Sequence, residues 1–117
     1  NSSNVQVLKE LREEAKVLIA LGDCACFGGL PTLRNPIDKE EVLRRGYVET
    51  PSTKDGQVPS DEELATLLDD VLPVNQVVTV DCYIPGCPPS ANAIYFALSE
   101  LLAGRVPVLA GDNLRFD

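Results

Sequence analysis

The 117-residue chain contains no histidine, and this absence excludes several classes of site. Serine–histidine triads and cysteine–histidine dyads need an imidazole as general base, and the common mixed zinc sites need one as a ligand. A metal bound by this chain alone must therefore sit on cysteine, aspartate or glutamate. The chain also lacks methionine and begins in a polar, helix-like stretch, so we expect its N-terminus to be incomplete.

Basic residues and long apolar runs are also scarce. Ten Lys and Arg stand against 18 Asp and Glu, giving a formal net charge of −8. This balance disfavours binding to nucleic-acid backbones and anionic membranes, which need concentrated positive charge. The longest apolar run, residues 17–21, is too short to cross a bilayer, and no signal-type segment is visible. We therefore expect a cytoplasmic protein that neither binds nucleic acid nor spans a membrane.

Hydrophobic periodicity predicts one α/β domain over residues 1–117. Two apolar runs, 16–22 and 74–84, are typical of strands buried on both faces of a parallel sheet. The segment 47–59 has neither hydrophobic period and is expected to be an exposed excursion without a catalytic role. Helices are predicted over 5–15, over 38–45, over 60–72, and from Ser90 to Gly104, where the glycine stops the helix. The helices over 38–45 and 60–72 each begin with a capping box.

Four cysteines lie in two loops, GDCACFGG at 22–29 and DCYIPGCPP at 81–89. Each loop follows a predicted strand, and open α/β sheets place their chemistry at the carboxyl ends of strands. Four thiolates could complete one iron–sulfur cluster. Alternate side chains of a strand face opposite ways, however, so we do not expect all four cysteines to reach one metal.

The glycine-rich surroundings of Cys24 and Cys87 favour these two residues as metal ligands. Glycine backbone can approach an inorganic sulfide closely and donate N–H bonds to it. Cys26 and Cys82 are interpreted as small residues that fill the core, with metal binding by either one left as an alternative. Structural disulfides are disfavoured in a cytosolic-looking chain, and the Cys-x-x-Cys pattern of a redox dithiol is absent.

The two loops resemble those of the small subunit of nickel–iron hydrogenases and, more distantly, the homologous 20-kDa-type cluster subunit of NADH:quinone oxidoreductase. In that family the glycine–x–cysteine–alanine loop supplies the third ligand of the proximal 4Fe-4S cluster, and the proline–glycine–cysteine–proline–proline turn supplies the fourth. The matching positions are Cys24 and Cys87. The first two ligands come from an N-terminal cysteine pair that this sequence does not show. The similarity covers residues 16–116, including LPTLRNP and LLAG.

No cysteine follows Cys87, as in the short cytosolic, NAD-linked (bidirectional) members of that family. The resemblance implies a flavodoxin-like parallel sheet with helices on both faces, here without its N-terminal strand, and no catalytic residue in this chain. It also implies a hydrogenase large subunit carrying the nickel–iron centre and a flavin- or NAD-binding diaphorase as partners. Two alternatives stay open: a cluster subunit of a quinone-reductase-type complex, and a metal-free flavodoxin-like module whose cysteines are buried thiols.

Overall fold

The computed structural model describes residues 1–114, so the last three residues of the predicted domain, 115–117, lie outside the described residues. Its helices are α1 (Ser2–Glu14), α2 (Asp23–Phe27), α3 (Lys39–Tyr47) and α4 (Ala91–Leu102), and its strands are β1 (Ile19–Leu21) and β2 (Cys82–Ile84). Short 3-10 turns occur at Leu30–Arg34, Val74–Gln76 and Gly111–Leu114. No helix within 1–114 has the length and apolar character needed to cross a membrane.

The two strands form a parallel pair that fixes where the cysteine loops leave the sheet. Ile19 lies opposite Cys82, and Leu21 lies opposite Ile84. The pairing extends past β1, where the Gly22 N–H donates to the Ile84 carbonyl at 2.7 Å. Parallel strands end at the same edge of a sheet, so the two loops emerge side by side. The predicted α/β class with parallel strands is confirmed.

The main buried cluster lies between β2 and α4. Two small side chains of α4, Ala93 and Ala97, are buried against the strand, so the helix approaches it closely. The large residues of the predicted apolar stripe on α4, such as Leu98 and Leu102, remain exposed. Leu21 of β1 is also exposed, so the expectation that β1 is buried on both faces is wrong. The cluster consists of Cys82, Ile84, Ala93 and Ala97.

The prediction of a helix over 60–72 is wrong: this segment, which lies wholly within the described residues, forms turns, bends and irregular backbone. It keeps a short-range bond of the Leu64 N–H to the Asp61 carbonyl, and several of its other backbone groups bond to distant parts of the chain. Arg34 donates to the carbonyls of Leu68 and Asp69 at 2.9 and 3.0 Å, and the Ser2 N–H donates to the Thr66 carbonyl at 2.9 Å. Tertiary hydrogen bonds therefore outweigh the helix propensity of this segment.

The strand predicted over 74–84 is much shorter than its β-branched composition indicates. Its first residues form the 3-10 turn Val74–Gln76, and only Cys82–Ile84 pairs with β1. The helix predicted over 38–45 is confirmed as α3, with the Asp38 carboxylate accepting from the Glu40 and Glu41 N–H groups. The helix runs two residues beyond the predicted end, through Gly46 to Tyr47.

Candidate functional site

The first cysteine loop is a single helical turn held in place by glycines. α2 begins directly after Gly22, and Cys24 is an exposed thiol in its first turn. Gly28 ends α2 in the left-handed region with φ of 92°. Gly29 lies against the Cys24 thiol: a Cβ at this position would lie 2.8 Å from Cys24 Sγ. The loop thus presents Cys24 to solvent with glycine backbone against it.

The second cysteine loop presents Cys87 in the same way. Cys87 is exposed, whereas Pro85 and Gly86 before it are buried. Gly86 has φ of 131°, and a Cβ there would lie 2.5 Å from the Pro89 Cα atom, so only glycine fits. The Cys87–Pro88 peptide bond is cis. The turn therefore holds the thiol outward on a closely packed backbone.

Asp23 joins the two loops. Its carboxylate accepts a hydrogen bond from the Gly86 N–H at 2.7 Å, and its own N–H donates to the Gly86 carbonyl at 3.0 Å. These two residues immediately precede Cys24 and Cys87, so the pair of bonds couples the positions of the exposed thiols. Sequence reasoning missed Asp23, although an acidic residue directly before a candidate ligand was the available signal.

The remaining two cysteines, Cys26 and Cys82, are buried in the core. Cys26 Sγ lies 3.3 Å from the Ala20 carbonyl, and Cys82 Sγ lies 3.6 Å from the Pro107 carbonyl. Burial raises the pKa of both thiols above the ordinary cysteine value, with nearby hydrogen bonds opposing the shift. The burial of both residues agrees with their interpretation as small side chains that fill the core.

The chemical capacity of the site rests on two exposed sulfur donors. Within residues 1–114 no group of three or more Cys, His, Asp or Glu side chains is arranged to hold a metal ion. Cys24 and Cys87 are soft donors on coupled loops, so they fit a partial ligand set for a thiophilic metal or cluster. Exposed apolar residues occur in α2 and in the 3-10 turn that follows it, and we call this set the hydrophobic border: Phe27, Leu30 and Leu33.

Known proteins resemble this chain in sequence over most of its length. Residues 1–101 match the family described as NADH ubiquinone oxidoreductase, 20 Kd subunit. A subunit of the F420-non-reducing hydrogenase of Methanothermobacter thermautotrophicus is 40% identical over 116 residues, which cover 97% of this chain and 37% of that protein. The iron-sulfur subunit of the F420-non-reducing hydrogenase of Archaeoglobus profundus is 30% identical over 119 residues, which cover 92% of this chain and 36% of that protein.

A solved structure is also closely similar. It is described as the crystal structure of NAD+-reducing [NiFe]-hydrogenase in the H2-reduced state, and one of its chains superimposes with a TM-score of 0.94 at 42% sequence identity. The match covers 100% of this chain and 66% of that chain. The chain thus spans little more than a third of the two relatives and about two thirds of the solved chain.

Proposed function

The chain belongs to the family described as NADH ubiquinone oxidoreductase, 20 Kd subunit, and from this membership we propose that it is the electron-transfer small subunit of a nickel–iron hydrogenase. The named relatives and the 0.94 TM-score match to a chain of an NAD+-reducing [NiFe]-hydrogenase structure support the hydrogenase branch of the family. The activity is that of an oxidoreductase, with the hydrogen-converting metal centre in a partner subunit.

One observation carries the proposal: two exposed thiols, Cys24 and Cys87, lie on loops that are hydrogen-bonded to each other at the carboxyl ends of paired strands. We propose that they supply two of the four ligands of a 4Fe-4S cluster. The other two ligands come from residues that this sequence does not show. The name of the Archaeoglobus profundus relative, an iron-sulfur subunit, supports this class of cofactor.

When bound, such a cluster accepts and releases single electrons. Cys24 and Cys87 would hold its iron atoms, and the glycine backbone beside each thiol would let the cluster approach closely. Hydrogen bonds to cluster sulfur and exclusion of water are the protein's means of setting a reduction potential. Side chains of the hydrophobic border, such as Phe27, exclude water once a partner covers them.

The exposed apolar surface supports an obligate partner, for which we propose the large subunit carrying the nickel–iron centre. Leu30 is 76% exposed and Leu33 is 72% exposed, both next to the Cys24 loop. The radius of gyration is 17.9 Å, whereas a compact domain of this length has about 13 Å. Exposed apolar surface like that of Leu30 and Leu33 is typical of a protein that is buried in an assembly. A flavin- or NAD-binding diaphorase in the cytoplasm is the proposed electron acceptor.

The test is to purify the complex anaerobically and to measure its iron and sulfide content and the EPR spectrum of the reduced protein. Cys24→Ser and Cys87→Ser are expected to lower the iron content and to remove or alter the cluster signal. Cys26→Ser is the matched control, because a serine hydroxyl can still donate to the Ala20 carbonyl in the core. Its iron content should equal that of the wild type.

Iron-free protein in an otherwise active complex would refute the proposal and favour the metal-free module. Full iron content in both Cys24→Ser and Cys87→Ser would show that other residues bind the iron, with Cys26 and Cys82 as the next candidates.

The matching family's own description favours a second candidate, the cluster subunit of a quinone-reductase-type complex. It keeps the same two cysteine loops and docks a quinone-site subunit in place of the hydrogenase large subunit. The gene sequence upstream of Asn1 distinguishes them: a separated cysteine pair indicates the hydrogenase, and a contiguous Cys–Cys pair indicates the quinone enzyme.

A further inference from the structure

We propose that Asp23 is a positioning residue of the cluster site: its carboxylate clamps the two ligand loops together and places a fixed negative charge beside them. The inference rests on the proposed function, since it concerns ligands that Cys24 and Cys87 provide. Asp23 touches no metal in this arrangement and acts through the backbone of Gly86.

The clamp argument follows from the position of the two hydrogen bonds. The Asp23 carboxylate accepts from the Gly86 N–H at 2.7 Å, and the Asp23 N–H donates to the Gly86 carbonyl at 3.0 Å. Gly86 is buried, so its N–H needs a partner within the protein. One residue thereby fixes the backbone immediately before both thiols, and its carboxylate supplies the bond that a substitution can remove.

The charge argument follows from the absence of a neutralising partner. Among residues 1–114 the ion pairs of the acidic side chains with Lys or Arg do not include Asp23. The neighbouring acid of the second loop differs, because Asp81 is paired with Arg12 at 2.6 Å. A carboxylate that accepts from a backbone N–H, that of Gly86, and takes part in none of these ion pairs disfavours an added electron nearby. We therefore expect Asp23 to lower the reduction potential of a cluster held by these loops.

Two substitutions separate the clamp from the charge in the intact anaerobic complex. Asp23→Asn keeps a side-chain oxygen that can accept from Gly86 but removes the charge. Asp23→Ala removes both. Glu40→Gln, at an exposed position of α3, is the matched control that removes one negative charge outside the two cysteine loops. The readouts are iron per chain, the EPR-monitored reduction potential, and amide hydrogen exchange of the peptide spanning 82–87.

Asp23→Asn is expected to keep its iron and the slow exchange of Gly86 while its reduction potential rises. Asp23→Ala is expected to exchange Gly86 at least tenfold faster and to hold less iron, and Glu40→Gln should match the wild type in all three readouts. An unchanged potential in Asp23→Asn overturns the charge role. Unchanged exchange and iron in Asp23→Ala overturn the clamp. Iron-free wild-type complex would instead refute the proposed function, and the exchange of Gly86 would still decide the clamp.

Discussion

Gly29 lies directly against Cys24. A Cβ on Gly29 would stand 2.8 Å from Cys24 Sγ and 3.1 Å from its Cα atom, and Gly29 has φ of 58°. Both the space and the backbone conformation therefore require glycine. The contact means that the direction of one proposed ligand depends on the absence of a side chain five residues later in the chain.

Replacing Gly29 by alanine is expected to displace the Cys24 thiol and to lower the iron content of the complex. The left-handed backbone and the overlap with Cys24 should together cost about 1–3 kcal/mol of unfolding free energy. Urea unfolding and iron analysis measure the two effects. Gly46→Ala is the control, since nothing lies within 4 Å of a Cβ there and Gly46 is inside α3. Alanine should stabilise that helix by about 0.5–1 kcal/mol, and equal effects of both substitutions would contradict the prediction.

The four cysteines should divide into two reactivity classes in the metal-free chain. Cys24 and Cys87 are exposed, whereas Cys26 and Cys82 are each 3% exposed and have pKa values raised by burial. Only the thiolate reacts rapidly with iodoacetamide. We expect Cys24 and Cys87 to be alkylated at neutral pH and the buried pair only after urea is added, as mass spectrometry of the peptides can show. Rapid labelling of Cys26 under native conditions would contradict the structure.

Much of the local architecture could be predicted from the sequence because its signals are local. The Asp38 cap of α3 and the Ser90 cap of α4 are short-range hydrogen bonds between a side chain and nearby N–H groups. The end of β1 at Leu21, directly before Gly22, also followed from composition, because the apolar run stops at that glycine. The segment 60–72 could not be predicted, because its backbone bonds to Arg34 and to the start of α1, and no local pattern encodes such contacts.

In the candidate site, too, local sequence signals predicted some features, whereas a long-range contact could not be predicted. The burial of Cys26 and Cys82 and the exposure of Cys24 and Cys87 agree with the sequence interpretation, which used glycine context and strand alternation. The assignment of the exposed pair as ligands stays a prediction. The role of Asp23 was missed, because its bond to Gly86 joins residues 63 positions apart and depends on the register of β1 against β2.

Asn35 is expected to hold the irregular segment before β2 in place. Its side chain donates to the Val71 carbonyl at 3.0 Å and accepts from the Val71 N–H at 2.8 Å. Asn35→Ala leaves both half-buried backbone groups without this partner, which should cost about 1–3 kcal/mol of unfolding free energy. Urea denaturation measures the loss, and hydrogen exchange of the peptide spanning 66–74 should rise with it. Unchanged exchange would show that this segment is held by other contacts.

Asp81 links α1 to both strands through one carboxylate. It accepts from the Leu18 N–H at 2.7 Å and from Arg12 at 2.6 Å, and Arg12 also donates to the Thr79 carbonyl at 3.2 Å. The Leu18 hydrogen bond, followed by Arg12, lowers the pKa of the Asp81 carboxyl below the ordinary aspartate value. The bonds from the Leu18 N–H and from Arg12 both end on the carboxylate of Asp81, whereas the bond from Arg12 to the Thr79 carbonyl does not involve it.

The lowered pKa of Asp81 predicts an acid-dependent part of the stability. A carboxyl group whose pKa is lower in the folded state than in the unfolded state stabilises the protein at every pH above the unfolded-state pKa, which is about 3.9 for aspartate. This stabilisation is lost as the pH falls through the folded-state pKa. Asp81→Asn should therefore be less stable than the wild type at pH 7, and the difference should shrink below about pH 4. Urea unfolding at several pH values measures this difference. The exposed Glu62→Gln serves as control, and a difference for Asp81→Asn that is the same at every pH would contradict the prediction, because a group that stabilises only when charged must lose its effect once protonated.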